Sequence, residues 1–221
     1  MNKYIYLSHF LSESTPTYGQ RDQFTIKRTS CIDHGDTANS HALNLSTNHM
    51  GTHIDLPKHF FDHGQCLNDF NPDYWFYNHV SLLDLSKSNG ELITIKDLKD
   101  KEIDLKTEIL LIKTGFEKFR DKEIYWKENP GVSPELADFL RNKYPNIRTL
   151  GFDFISLTSF QHRSIGKEAH QAFLDPEKPI TIIEDMHLEG INKSPLCLNV
   201  FPLLVQDIDS SPVTVIAVLD N

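Results

Sequence analysis

Residues 49–59, HMGTHIDLPKH, place three histidines and an aspartate within eleven residues. Pro57 bars a helix here, because its ring would clash with the carbonyl four residues back, at His53, and it offers no N–H. The stretch is therefore extended or looped, and its spacing reads with a period of two. His53 and Asp55 then share a face. His49 lies beyond a Gly51-Thr52 bend that can swing it toward them, and His59 follows the proline. These are converging ligands, unlike the helical i, i+4 pair of an HExxH motif. A structural zinc site would be closed by cysteines at short spacing, whereas Cys31, Cys66 and Cys197 are widely separated. Imidazoles with a carboxylate suit Zn²⁺ or Mn²⁺ with positions left open to water or substrate. With His49, His53 and Asp55 as ligands, His59 is left over for general acid/base work near neutral pH. The plain alternative is a polar loop that happens to be His-rich; the proline-fixed convergence of ligand types argues against it.

Elements that could hold such a segment are legible on both sides of it. Strand patterns occur at 3–8, 23–28 and 41–47, the last alternating cleanly. More continuously apolar runs at 79–86, 108–116 and 147–157 read as buried strands. Further strands are expected at 179–186, 196–205 and 212–219. Ser133 is an N-cap candidate and Pro134 suits a first helical position, opening a helix through ELADFLRNKY. A second short helix is expected at 166–174. Many strands interleaved with few helices predict one α/β (α+β) domain over residues 1–221, with a mixed, curved sheet.

The net charge of −9, with no basic run to offset it, argues against nucleic acid or a membrane surface as partner and favours a small-molecule substrate. The odd, scattered cysteines suggest a reducing compartment. MNKYIYLSHF lacks the apolar stretch of a signal peptide, and no segment has the length of a membrane span, so a cytoplasmic location is expected. There is no GxSxG nucleophile elbow and no Gly-rich phosphate loop with its lysine. Hydrolysis by metal-activated water is the economical reading.

HMGTHIDLPKH matches H-x-G-T-H-x-D-x-P-x-H at all seven fixed positions, and so resembles the cyclase-like metal-dependent hydrolases, which include bacterial kynurenine formamidases and isatin hydrolase. GFDFIS (151–156), HQAFL (170–174) and ITIIEDM (180–186) extend the resemblance over most of the chain. It implies a swivelling β/β/α fold, a homodimer or higher homo-oligomer, and one or two divalent ions, Zn²⁺ or Mn²⁺. Carried over, His49, His53 and Asp55 hold one ion, Asp55, His170 and Glu184 hold the other, Glu184 bridges both, and His59 is proton donor and acceptor. The family's N-terminal tryptophan and Pro-Gly-Asp are absent; Tyr18, in TPTYGQRDQ, can take the aromatic role.

The later residues also have a reading of their own. Glu184 sits in an apolar strand, where an inward carboxylate is costly unless paired or metal-bound, and Asp185 is the alternative on the opposite face. His170 lies beside Phe173 and Leu174, so a half-buried helix histidine is its plain reading; His162 is its main rival, with His63 and His187 weaker ones. His9, His34, His41 and His79 read as isolated surface or core histidines. Phe160, Gln161 and Arg163 are candidate substrate contacts, the arginine for a substrate carboxylate, against the alternative of a solvated loop. The leading expectation is a hydrolase of a C–N bond in a small linear or cyclic amide, an N-formyl aryl amine such as N-formylkynurenine being the best single example. A lactone hydrolase or lyase on the same metals, or a non-catalytic metal-bound binding protein, are the alternatives. His59 favours an enzyme, since a pure binding site needs no free base.

Overall fold

The computed structural model describes residues 2–220. Its strands are β1 (Lys3–Tyr6), β2 (Phe24–Ser30), β3 (Ser40–Leu45), β4 (His53–Asp55), β5 (Phe76–Tyr77), β6 (Val80–Asp84), β7 (Leu92–Ile93), β8 (Ile109–Lys113), β9 (Gly131–Val132), β10 (Thr149–Phe152), β11 (Thr181–Glu184), β12 (Cys197–Pro202) and β13 (Ser210–Leu219). The α-helices are α1 (Ile95–Leu98), α2 (Ile124–Lys127), α3 (Glu135–Lys143) and α4 (Arg163–Phe173). The main sheet runs β5-β12-β13-β4-β11-β10-β8-β6, with β1 also paired to β13. β6, β8, β10 and β11 are mutually parallel, and β4, β13 and β12 continue the sheet in antiparallel pairings.

The sheet's curvature follows from connectivity. β5 and β6 lie at opposite ends of the strand order, yet only two residues, Asn78 and His79, separate them in the chain. Three residue steps span at most about 11 Å, so the sheet must curl until its edges nearly meet. The mixed, curved sheet with few helices expected from the strand pattern is what forms.

Alternation along the strands divides two apolar layers. Ile109 and Leu111 of β8, Ile183 of β11, and Ile54 and Leu56 at β4 point into the curled interior with Trp75, Tyr77, Val200 and Val215. Leu110, Ile112, Leu150, Phe152 and Ile182 point outward and are covered by Leu136 and Leu140 of α3 and Ala169 and Phe173 of α4. His53, Asp55 and Glu184 share the parity of Ile182, so the chemistry faces α4 rather than the interior.

Several expected boundaries differ. The extended run at 147–157 ends as a strand at Phe152, because Asp153 turns to accept N–H groups from Thr114 and Gly115 at 2.8 and 2.7 Å. Helix α4 begins at Arg163, three residues before the expected Gly166. Ser133 provides no side-chain cap to α3, and its buried hydroxyl has no partner. The alternating segments 23–28 and 41–47 do not join the main sheet. β2 and β3 pair with each other in a separate ribbon, and Leu43 is 62 % exposed despite the apolar alternation.

Helix α4 packs close to the loop after β10 at Gly166, where a Cβ would come 2.3 Å from Thr158 Oγ1. Alanine is the better helix former by about 1 kcal/mol, but the overpacking here outweighs it. We expect Gly166→Ala to lower stability by about 1–3 kcal/mol. A urea midpoint that is unchanged or raised would show that α4 does not press on this loop.

Candidate metal centre

The 49–59 segment forms as its residue types require. Gly51 has φ +61°, and a Cβ there would come 2.6 Å from Leu11 Cδ2, so glycine is needed for the bend and for the close approach of Leu11. The Gly51 carbonyl accepts a hydrogen bond from His53 Nδ1 at 2.7 Å, turning Nε2 of that ring inward. β4 follows for three residues, and Pro57 then opens a 3₁₀ turn, Pro57–His59, that lifts His59 out of the sheet.

Pairing brings the second carboxylate in. β4 lies antiparallel to β11 with His53 opposite Glu184 and Asp55 opposite Ile182. His53 Nε2 is 3.6 Å from Asp55 Oδ1 and 3.4 Å from Glu184 Oε2. His170, from α4, reaches the other oxygens: its Nε2 is 3.7 Å from Asp55 Oδ2 and 3.5 Å from Glu184 Oε1. Each carboxylate thus turns one oxygen toward His53 and one toward His170. His170 Nδ1 donates to the Gly166 carbonyl at 2.9 Å, which aims Nε2 at the centre, and Phe60 stacks on the ring at 4.7 Å. Glu184 Oε1 also accepts the Leu157 N–H at 2.7 Å. His49 Nδ1 is 3.0 Å from Asp55 Oδ1.

These residues fit a divalent cation. Asp55 is 1 % exposed; its Oδ1 and His53 Nε2 are both buried and make no aligned hydrogen bond, the 3.0 Å approach of His49 Nδ1 to Oδ1 included. Orphaned donors and acceptors at such depth are costly, and a cation relieves both at once. At this centre two groupings, His53–Asp55–Glu184 and His49–Asp55–His59, bring their ligand atoms within 4.8 Å of one another. They cut across the two sets implied by the family resemblance, since His59 also comes within ligand range.

The charges are strongly coupled. Burial pulls the His49 imidazole down, but Asp55 and Asp209 outweigh it and hold the group up at about 10. For His170 burial is likewise overcome, by Asp55 and Glu184, and the group stands at about 9. Burial opposes ionisation of Asp55, yet the His49 charge keeps it well below its usual range.

One carboxylate of the metal centre was missed by sequence reasoning. Asp209, in the turn just before β13, places Oδ2 3.0 Å from His59 Nδ1 and 3.3 Å from His49 Nε2, and its other oxygen accepts from Asn48 at 2.7 Å. An ionised carboxylate can only accept, so His59 Nδ1 carries the proton and Nε2 is left for exchange. Nothing local in QDIDSS marks this aspartate; only the pairing of β13 with β4, Ser210 opposite Asp55, brings it there.

The centre opens into a cleft of about 330 Å³, large enough for a small molecule. Tyr18 lines it, together with Phe60 and Arg21, which the sequence reading passed over. Phe160, Gln161 and Arg163 do not line it. Phe160 lies behind Tyr18 at 5.4 Å, Arg163 sits over the Phe160 ring at 3.9 Å, and Gln161 is exposed. Phe160 and Gln161 precede α4 and Arg163 is its first residue, and the Phe160–Arg163 pair sits behind Tyr18 rather than in the cavity wall. Asp185 turns its carboxylate to Arg120 at 2.6 Å and to Tyr125, away from the histidines. His162 and His63 are exposed and make no contact with the centre. A larger apolar groove against Phe70, Trp75 and Phe201 is lined by no titratable side chain.

Two outcomes follow. His170→Ala should release or loosen one ion in metal analysis, whereas His162→Ala should keep the full complement; loss in the His162 variant alone would reverse the assignment. Protons compete with metal for His49 and His170, which stay protonated below about 10 and 9. Affinity should therefore fall as pH falls, by about tenfold per pH unit for each proton displaced. Calorimetric titration at pH 7 and 8, with proton release followed in weak buffer, checks it. Equal affinities at both pH values would mean that neither imidazole is a ligand.

The cyclase family model matches residues 5–158. Over 96 % of its length the chain is 27 % identical to the kynurenine formamidase of Geobacillus thermodenitrificans, covering 96 % of that protein. It is also 27 % identical to cyclase-like protein 3 of Oryza sativa subsp. japonica, over 96 % of this chain and 78 % of that one. Isatin hydrolase A from Labrenzia aggregata superposes with a TM-score of 0.85, covering 100 % of this chain and 94 % of the other at 21 % identity, a likeness of fold. A family model spanning more than half of the sequence, on a fold shared from end to end, settles the family: this chain belongs to the cyclase family.

Proposed function

We propose that this protein is a divalent-metal-dependent hydrolase that cleaves the C–N bond of a small linear or cyclic amide, with an N-formyl aryl amine as its best substrate class. The observation that carries the reading is the pair of buried carboxylates, each shared between His53 and His170, beside a histidine held by a separate aspartate. His49, His53 and Asp55, and then Asp55, His170 and Glu184, would hold one or two ions, Zn²⁺ or Mn²⁺. Bound there, a divalent ion supplies Lewis acidity to a carbonyl oxygen and makes water a stronger acid.

The chain's own residues do the rest. His59, with Nδ1 tied to Asp209, takes a proton from the attacking water on Nε2 and returns it to the departing nitrogen as the C–N bond breaks. Tyr18 and Phe60 flank an aromatic ring in the cleft. Arg21 is the one lysine or arginine lining the cavity among the described residues, and it replaces Arg163 as partner for a substrate carboxylate. The kinship with kynurenine formamidase over nearly the whole chain supports an arylformamide substrate.

In this reading residues 1–221 act as one domain, in the cytoplasm, as a homodimer or higher homo-oligomer, without nucleic-acid or membrane partners. The three free cysteines accord with a reducing compartment, and no described helix is long and apolar enough to cross a membrane.

Metal-loaded protein assayed against formanilides, isatin and lactones should favour the formanilides; preference for a lactone would move the reaction to C–O cleavage. His59→Ala should keep its ions and lose about 10²–10⁴ in kcat. If it empties the centre, His59 is a ligand and the base lies elsewhere. Arg21→Ala should raise KM for carboxylate-bearing substrates with kcat nearly kept. An unchanged KM would remove Arg21 from recognition.

A further inference from the structure

Away from the cleft, three residues far apart in the sequence come together. His9 follows β1, Glu117 lies in the 3₁₀ turn Phe116–Phe119 after β8, and His187 follows β11. One ligand atom from each lies within 4.8 Å of the others. His187 Nδ1 is 2.9 Å from Glu117 Oε1, and the two imidazoles stand 5.0 Å apart, tilted by 48°. The backbone holds this arrangement. A bridge pairs Ser8 with Met186, the His187 N–H donates to the Leu7 carbonyl at 2.9 Å, and Glu117 Oε2 accepts the N–H groups of Leu188 and Glu189 at 2.5 and 3.0 Å.

An ion pair between His187 and Glu117 would account for two of the three, and a half-exposed pair contributes little. It leaves His9 unexplained. Nε2 of His9 is buried and has no hydrogen-bond partner, which is costly. Burial pushes this imidazole down to about 4, so it stays neutral, the form that binds metal. Arg120, whose charge acts on His9, is committed to Asp185 through bonds of 2.9 and 2.6 Å, which offsets its repulsion of a dication. Two imidazoles and a carboxylate form a zinc-type donor set with a fourth position left for water.

We propose that His9, Glu117 and His187 form a separate, non-catalytic site for a divalent transition metal of the Zn²⁺ class. An ion there ties the segment after β1, the turn after β8 and the segment after β11 into one unit. It also adjoins the catalytic loop, since the His9 N–H donates to Thr52 Oγ1 at 3.0 Å and that hydroxyl donates to the Asp185 carbonyl at 2.6 Å.

Equilibrium dialysis against Zn²⁺, applied to the full chain and to His187→Ala, His9→Gln and His53→Ala, tests the site by the stoichiometry and affinity of bound zinc. The expected result is one equivalent fewer in each of the first two variants than in the unaltered protein, or a Kd for that equivalent at least about tenfold weaker. His53→Ala, which damages the centre assigned to hydrolysis, should keep the equivalent. Equal stoichiometry and affinity in His187→Ala and the unaltered protein would overturn the proposal, as would loss of every equivalent from His53→Ala. Because the readout is bound zinc, the site stands or falls whether or not the protein hydrolyses any amide. His187 is 42 % exposed at its side chain, so its replacement leaves the fold intact; circular dichroism of both variants checks this.

Discussion

Two carboxylates, Asp55 and Glu184, lie buried side by side at the centre of the molecule, at 1 % and 4 % exposure. Burial and mutual repulsion both push such groups toward the neutral acid. The surrounding structure keeps them ionised: His49, His53 and His170 crowd in on three sides, and the Leu157 N–H is spent on Glu184. Removing any of these elements leaves a buried charge uncompensated, the costly case for ionic groups in a protein interior. That is why strand pairing, the 3₁₀ turn and helix α4 all converge on this spot. The same balance makes the site a cation receptor, since the protons on the histidines are the occupants a metal would displace.

The curled sheet makes the arrangement rigid. Its interior is filled by apolar side chains from β1, β4, β8, β11, β12 and β13, and close-packed interiors resist small displacements. With Ile54 and Leu56 locked inside, His53 and Asp55 have no freedom to turn away from the outer face. Helix α4 is held to the same face through Ala169 and Phe173, so His170 meets the carboxylates at an orientation set by packing. Ligands that bind metal tightly need this kind of fixed support.

Hydrogen bonds on the far side of the rings determine which nitrogen His53, His170 and His59 present. Backbone carbonyls of Gly51 and Gly166 take Nδ1 of His53 and His170, and Asp209 takes Nδ1 of His59. Two of these partners come from the residue two or four positions back, so the local backbone both places the ring and selects its tautomer. Asp209 differs, because it arrives through a strand pairing and bridges His49 to His59. It therefore couples the candidate base to the candidate ligands.

Local chemistry was readable from the sequence. Pro57 excluded a helix, and the period of two put His53 and Asp55 on one face. The apolar run around Glu184 marked an inward carboxylate there as a buried, partnered acid, with Asp185 the alternative on the opposite face. Those inferences rest on forces acting within a few residues, so they hold wherever the segment lies. Position along the chain and the family resemblance both favoured His170 over His162, and in the fold His170 is buried on the packed face of α4 while His162 is exposed. The strand runs were found, although the ribbon β2–β3 was not foreseen as exposed, because alternation shows that a strand has two faces and not whether anything covers one. Asp209, Arg21 and the grouping of His9 with Glu117 and His187 were decided by the tertiary structure alone. Each depends on register between segments far apart in the chain, and register is set by how whole strands pair and how the sheet closes. The residues carry no local mark of it.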